Sequence, residues 1–124
     1  HCGGVRFEAD IDFARGSQRC NCSICARTRF WAAAVAPQAF RLSTGCGDLV
    51  EYTFQTGQNR HYFCRHCGVR AFGVGETADG QRIYRVNIGC LDGISDTELA
   101  AIPVSYVDGR QDSWQAPPAV TRHL

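Results

Sequence analysis

The stretch Cys20-Asn21-Cys22-Ser23-Ile24-Cys25 decides how this sequence is interpreted, because it places three thiols within six residues. Thiols at this spacing can occupy three of the four positions around one zinc ion. A zinc site with four protein ligands is structural, whereas a site with three leaves one position open for chemistry. The stretch therefore predicts a zinc site of one of these two kinds.

The spacing alone leaves both alternatives open. If the site is structural, its fourth ligand comes from a distant part of the chain, such as Cys46, Cys90 or His61. Cys46 lies between two glycines in a predicted loop, whereas Cys90 is most simply a small buried apolar residue. If the site is open, three thiolates make the zinc a poor Lewis acid toward carbonyls. Such a site is better suited to holding an incoming thiol as a nucleophilic thiolate.

Three residues that follow this stretch are candidates for a substrate pocket. Arg27 and Arg29 could bind an anionic thiol, because arginine binds carboxylates in a bidentate manner, and Trp31 could line the same pocket. Solvated arginines and a tryptophan in the core explain the same residues equally well.

A second metal motif is the zinc knuckle Cys64-Arg65-His66-Cys67-Gly68, in which two thiols lie three positions apart across a predicted tight turn. A C-x-x-C pair can also be a redox dithiol. That motif begins a helix in a βαβ unit, however, and both flanks here have strand character. Cys2 is followed by two glycines ahead of the first predicted strand, and we expect it to join this site. These residues predict a structural zinc site.

Eight cysteines in 124 residues could instead form a disulfide framework. Disulfides between neighbours as close as Cys20, Cys22 and Cys25 would be strained, whereas the same residues chelate a metal readily. Neither a secretion signal nor an apolar run of about 20 residues is visible. Zinc is therefore preferred, and the expected compartment is a reducing cytoplasm. The chain starts at His1 and contains no methionine, so we expect its natural N-terminus to be missing.

The bulk composition narrows the class of protein. A length of 124 residues suits one domain, residues 1–124, with a modest core helped by metal ions. The formal net charge is +1 and the basic residues are scattered, so no nucleic-acid surface is predicted. The oligomeric state is left open.

Hydrophobic patterning predicts mostly strands. Alternating apolar residues at positions 5–13 give the clearest strand, with one buried face. A capping box at Ser95-Asp96-Thr97-Glu98 predicts the one helix, of one or two turns, and Asp79-Gly80 predicts a hairpin turn. Further strands are predicted at residues 31–35, 40–43, 49–54, 61–63, 70–75, 82–88 and 104–107. The predicted class is all-β with short helical segments.

Taken together, the motifs resemble the glutathione-dependent formaldehyde-activating family, which also includes centromere protein V. The resemblance extends over essentially the whole chain, to residues 107–110. It rests on His1-Cys2-Gly3-Gly4-Val5-Arg6-Phe7, Cys20-Asn21-Cys22-Ser23-Ile24-Cys25-Ala26-Arg27, Arg60-His61-Tyr62-Phe63-Cys64-Arg65-His66-Cys67-Gly68 and Asn87-Ile88-Gly89-Cys90-Leu91-Asp92.

The resemblance implies a zinc-stapled β-tent fold with two zinc sites, one structural and one exchangeable. In the family, a C-x-C pair near the start joins the C-x-x-C pair in the structural site. The first cysteine of that pair would precede His1, and we expect that it is missing rather than replaced by His1. The implied ligands are Cys2, Cys64 and Cys67 for the structural site, and Cys20, Cys22 and Cys25 for the exchangeable one.

The resemblance also implies an activity, the addition of glutathione to formaldehyde or a related aldehyde. The product is S-(hydroxymethyl)glutathione, and the enzyme is classed by the reverse reaction as a carbon–sulfur lyase. Cys20, Cys22 and Cys25 would be its catalytic cysteines. Its partners would be a small-molecule thiol and an aldehyde, with neither a nucleic acid nor a membrane expected. The alternative is a non-catalytic zinc-binding module that carries glutathione or binds a protein partner.

Overall fold

The computed structural model describes residues 1–124 as a mainly β structure with two short α-helices, α1 (Ser23–Thr28) and α2 (Asp96–Ala101). The strands are β1 Arg6–Ala9, β2 Ser17–Cys20, β3 Trp31–Val35, β4 Phe40–Thr44, β5 Leu49–Thr53, β6 Arg60–Cys64, β7 Arg70–Glu76, β8 Arg82–Asn87 and β9 Val104–Val107. Short 3-10 turns lie at Phe13–Arg15, Pro37–Ala39, Cys46–Asp48 and Ile88–Cys90. Neither helix has the length and apolarity that crossing a membrane requires. The predicted class, all-β with short helical segments, is confirmed.

Seven strands form one sheet in the order β5-β6-β7-β8-β3-β2-β9. All neighbours pair antiparallel except β2 and β9, which are parallel. The predicted hairpin turn at Asp79-Gly80 joins β7 to β8, and there the amide of Thr77 donates to the carbonyl of Gln81 at 2.8 Å. β1 and β4 form a separate two-stranded antiparallel sheet.

The small sheet packs on the large one through aromatic side chains. Phe40 of β4 stacks on Tyr84 of β8 with ring centroids 4.2 Å apart, and Phe7 of β1 meets Phe72 of β7 edge-on at 6.1 Å. Only 17 of the 124 residues are buried, so apolar packing alone supplies a small core. The buried apolar cluster consists of Ala33, Val35, Ala71, Phe72, Val86, Ile88 and Ile102.

The first strand is shorter than its alternating pattern predicted. β1 ends at Ala9, and the chain turns at Phe13 because the carboxylate of Asp12 accepts a hydrogen bond from the amide of Ala14 at 3.0 Å. Ile11 and Phe13 nevertheless pack against the core. The alternation therefore identified the buried side chains but not the length over which the backbone pairs.

The two elements that flank the cysteine stretch differ from the predictions. β2 leads into it and α1 begins within it, and neither element was among the predicted ones. α1 has only six residues, lacks a side-chain cap at Cys22, and ends at Arg29 with a φ of 51° where glycine is the usual residue. The helix therefore lacks the local signals by which a short helix is recognised.

Candidate metal centres

All eight cysteines are free thiols in the structure, and six of them lie in two groups of three. Within each group the sulfurs lie within 4.8 Å of one another. Tetrahedral zinc with Zn–S bonds of about 2.3 Å holds its sulfurs about 3.8 Å apart. Both groups could therefore hold an ion after a small contraction. The first group is Cys2, Cys64 and Cys67, and the second group is Cys20, Cys22 and Cys25.

The first group joins the N-terminal segment to the turn between β6 and β7. Cys64 ends β6 and is buried, and its sulfur lies 3.5 Å from that of Cys2. Gly68 has a φ of +73°, which allows its amide to donate to the Cys64 carbonyl at 2.8 Å. The backbone amide of Val69 donates to the sulfur of Cys67 and lowers the pKa of that thiol to about 7. Cys67 is therefore partly in the thiolate form, which binds metals, near neutral pH.

The remaining cysteines lie outside both groups. Cys46 is exposed in a 3-10 turn. Cys90 is half-buried and lines a small cavity beside the first group, and burial raises the pKa of its thiol. Together with His61, these were the distant ligands considered for the cysteine stretch. None of the three lies close enough to the sulfurs of the second group to belong to it.

The second group forms where β2 passes into α1. Cys20 ends β2, Cys22 is the N-cap residue of α1, and Cys25 lies in the first turn of that helix. The amide of Cys22 donates to the sulfur of Cys20 at 3.3 Å. Hydrogen bonds from the thiols of Cys20 and Cys25 lower the pKa of Cys22, whereas the contact with Cys22 raises the pKa of Cys20. Cys22 is therefore the thiol of this group that most readily becomes a thiolate, and a bound cation would displace the remaining protons.

A loop from a distant part of the chain closes one side of the second group. Asn21 is buried, and its side chain donates to the carboxylate of Asp108 at 2.6 Å and accepts from the amide of Arg110 at 2.9 Å. These bonds bring Gly109 so close that a β-carbon there would lie 2.6 Å from the sulfur of Cys20. The backbone of this loop therefore shields the sulfurs from solvent on that side.

A buried arginine closes another side of the second group. Arg70 of β7 is 6% exposed, and its guanidinium donates to the sulfur of Cys25 at 3.6 Å and to Nδ1 of His61 at 2.7 Å. The guanidinium also lies 3.5 Å from the centroid of the Phe30 ring. Burial, together with the charge of Arg70, lowers the pKa of His61 to about 4, so this ring is neutral. No motif marks Arg70 in the sequence, because it lies 45 positions from Cys25.

Of the three residues predicted to line a substrate pocket, only Arg29 lines a cavity beside the second group. Arg29 lines a shallow cavity beside the second group, but Arg27 donates to the carbonyl of Ser23 at 3.0 Å. The indole of Trp31 donates to the hydroxyl of Ser17 at 2.7 Å, away from that cavity's lining. The cavity is lined by Arg19, Cys20, Cys25, Ala26, Arg29, Phe30 and Leu124.

Comparison with known proteins identifies a family model and a similar solved structure. The family model described as glutathione-dependent formaldehyde-activating enzyme matches residues 1–108, a range that contains both groups of cysteines. A crystal structure of a Rhodobacter sphaeroides protein, solved as a structural-genomics target, is similar to this chain with a TM-score of 0.72. The two sequences are 30% identical, and the match covers 85% of this chain and 95% of that one.

Proposed function

The chain belongs to the glutathione-dependent formaldehyde-activating enzyme family, and on this premise we propose that it is a zinc-dependent carbon–sulfur lyase. In the direction of synthesis it would join glutathione to formaldehyde or a related aldehyde, as a single zinc domain spanning residues 1–124. The observation that carries the proposal is the second group, whose three sulfurs lie between the loop at Gly109 and the guanidinium of Arg70, with a cavity beside Cys20 and Cys25. A site of that composition leaves one position for a substrate thiol.

We assign one zinc ion to each group of sulfurs. Thiolate ligands at tetrahedral spacing favour zinc over the harder cations, which prefer oxygen. At the first group the ion would be structural, because it would tie Cys2 to the turn between β6 and β7. At the second group a zinc ion with an open position would lower the pKa of a substrate thiol and keep it as a thiolate.

The residues of the chain itself would bind and orient the substrate and would shield the second group from water. The loop at Gly109 and the guanidinium of Arg70 exclude water from two sides of the second group. The shallow cavity beside Cys20 and Cys25 is then the approach for the substrate. Arg29 lines this cavity, and a guanidinium suits the carboxylates of glutathione.

The proposed reaction is redox-neutral. The thiol sulfur bonds to the aldehyde carbon, the carbonyl π bond opens, and the thiol proton ends on the carbonyl oxygen. Because both groups need reduced thiols to bind a metal, we place the protein in a reducing compartment such as the cytoplasm.

Calorimetry of glutathione with the zinc-loaded protein tests the site. We expect binding to the wild type and none to Cys22→Ser, which should hold one zinc ion fewer while keeping its fold. Cys46 is exposed and outside both groups, so Cys46→Ser is a matched control for the loss of one thiol and should bind as the wild type does. Retention of both zinc ions by Cys22→Ser would contradict the assignment, as would failure of the fully metallated wild type to bind glutathione.

A product assay with formaldehyde then separates a lyase from a glutathione carrier. Formation of S-(hydroxymethyl)glutathione should exceed the rate in buffer with the wild type and with Cys46→Ser, but not with Cys22→Ser. Binding of glutathione without any acceleration would instead identify the carrier.

A further inference from the structure

The guanidinium of Arg70 has no carboxylate partner. The four ion pairs of the structure are formed by other residues, and the hydrogen bonds of this guanidinium go to Cys25 and His61. A buried cation without a nearby negative charge is strongly unfavourable. Since the ring of His61 is neutral, the negative charge that offsets Arg70 comes from the sulfurs of the second group.

The position of this guanidinium is held from two sides. It lies against the ring of Phe30, 3.5 Å from the centroid, and donates to Nδ1 of His61 at 2.7 Å. Because arginine can only donate, Nδ1 accepts, and the single ring proton of His61 is on Nε2.

The arrangement leaves two buried polar atoms unpaired. Nε of Arg70 and Nε2 of His61 have no hydrogen-bond partner. Unpaired buried polar atoms are rare in native proteins because each lowers stability. Arg70 and His61 lie beside the second group although their unpaired atoms lower the stability of the protein. This indicates that the two residues have a role in the site rather than in the fold.

We propose that Arg70 is a positioning residue of the second group: Nη1 hydrogen-bonds the sulfur of Cys25 and draws charge from it, while His61 holds the guanidinium in place. An N–H···S bond from a cation makes a thiolate a weaker nucleophile. Cys25 would therefore stay a ligand and leave the substrate thiolate as the most reactive sulfur of the site. This inference rests on the proposed zinc site but not on the substrate or the reaction.

Alkylation of the zinc-loaded protein by iodoacetamide tests the role of Arg70, with each cysteine followed separately by peptide mass spectrometry. In Arg70→Met we expect Cys25 to react about tenfold faster than in the wild type, the factor that corresponds to losing about 1.4 kcal/mol of charge-assisted hydrogen bonding. The alkylation rate of the exposed thiol of Cys46 reports the reactivity of the reagent and should be the same in both proteins. The cysteines of the first group should also react as in the wild type.

Two further variants separate the hydrogen bond from the charge. Arg82 is exposed on the neighbouring strand β8, so Arg82→Met is a matched control for the same substitution and should leave Cys25 unchanged. Arg70→Lys keeps a positive charge but lacks the planar fork that reaches both Cys25 and His61. Its rate at Cys25 should lie between those of the wild type and Arg70→Met.

Equal alkylation of Cys25 in a folded Arg70→Met and in the wild type would overturn the proposal. So would an acceleration shared by the cysteines of both groups, because that is the result of a loosened fold. If Arg70→Met does not fold, His61→Phe decides, since it keeps an aromatic ring against Phe54 but removes the acceptor for Nη2. Cys25 should then react about threefold faster, and an unchanged rate would overturn the proposal. The alkylation experiment uses neither glutathione nor formaldehyde. A negative result there can therefore be distinguished from a negative result in the tests of the lyase proposal.

Discussion

At Gly109 the backbone passes so close to the second group that no side chain fits. The φ of this residue is not in the left-handed region, so alanine is compatible with the backbone itself. A β-carbon there would lie 2.6 Å from the sulfur of Cys20 and 3.0 Å from the β-carbon of Cys22. In Gly109→Ala the ligands must therefore move, and we expect zinc affinity at the second group to fall by at least about tenfold.

Competition with a chromophoric chelator measures this loss of affinity at Gly109. Gly47→Ala is the matched control, because a β-carbon at Gly47 meets nothing within 4 Å and its φ is also outside the left-handed region. Equal zinc affinity in the two variants would show that the loop does not press on the second group.

His61 should make the stability of the protein depend on pH. Burial lowers its pKa to about 4, from a value of 6.5 for a free histidine. Between these two values the unfolded chain binds a proton that the folded chain does not, so the free energy of unfolding decreases as the pH falls from 6.5 toward 4. Above 6.5 the residue contributes no pH dependence. The full effect is at most about 3 kcal/mol.

Urea unfolding of the zinc-loaded wild type and of His61→Gln across this pH range measures the effect. The thiols titrate in both proteins, so the difference between the two plots of unfolding free energy against pH isolates the contribution of His61. The plot for the variant should have the shallower slope, and parallel plots would refute the assignment of a neutral His61.

Cys2 precedes β1 of the two-stranded sheet, and Gly45, directly after β4, passes close to the segment between Cys2 and β1. Gly45 has a φ of +83°, and a β-carbon there would overlap the backbone of Gly4 and Val5. Gly45→Ala therefore combines strain in φ with displacement of the segment that carries Cys2. We expect it to destabilise the fold by at least about 2 kcal/mol more than φ strain alone does, and to weaken zinc binding at the first group.

Gly57→Ala measures the φ strain by itself. Its φ is +72°, and the space around a β-carbon there is open, so we expect the free energy of unfolding to fall by about 1 kcal/mol. The urea midpoints and the zinc content of Gly45→Ala and Gly57→Ala are then compared. A similar decrease in the free energy of unfolding of both variants would show that the contact between Gly45 and the N-terminal segment contributes nothing to stability.

The whole molecule has a small apolar core, with 17 buried residues of 124, so its stability should depend on bound metal. Removing the proposed zinc ion from the first group would disconnect Cys2 from the turn between β6 and β7. We expect chelation to lower the melting temperature by about 10 °C or more, because a structural zinc site contributes several kcal/mol. Calorimetric melting with and without a chelator measures this shift.

Single cysteine variants assign the thermal effect to a group. Before chelation, Cys67→Ser should have a lower melting temperature than the wild type, and chelation should lower it by less. Cys46→Ser should behave as the wild type does. A melting temperature that chelation leaves unchanged would mean that packing alone holds the two sheets together.

Features that depend on neighbouring residues were predicted from the sequence, because the backbone limits how far apart such residues can be. Cys20, Cys22 and Cys25 are close in almost any conformation of their segment, and the capping box at Ser95 acts within one turn of α2. Most strands were also predicted, since period-two alternation reports one buried face. The short helix α1 was missed because it is stabilised by its surroundings and not by capping residues.

The tertiary structure alone decided what surrounds the second group. The parallel pairing of β2 with β9 brings Gly109 against Cys20 and joins Asn21 to Asp108, 87 positions away. The sheet likewise carries Arg70 to the sulfur of Cys25, 45 positions away. Contacts at such separations depend on strand order and register, which hydrophobic alternation does not specify. The sequence by itself therefore determined the candidate metal ligands, whereas only the fold determined that Arg70, Phe30 and the loop at Gly109 lie around the second group.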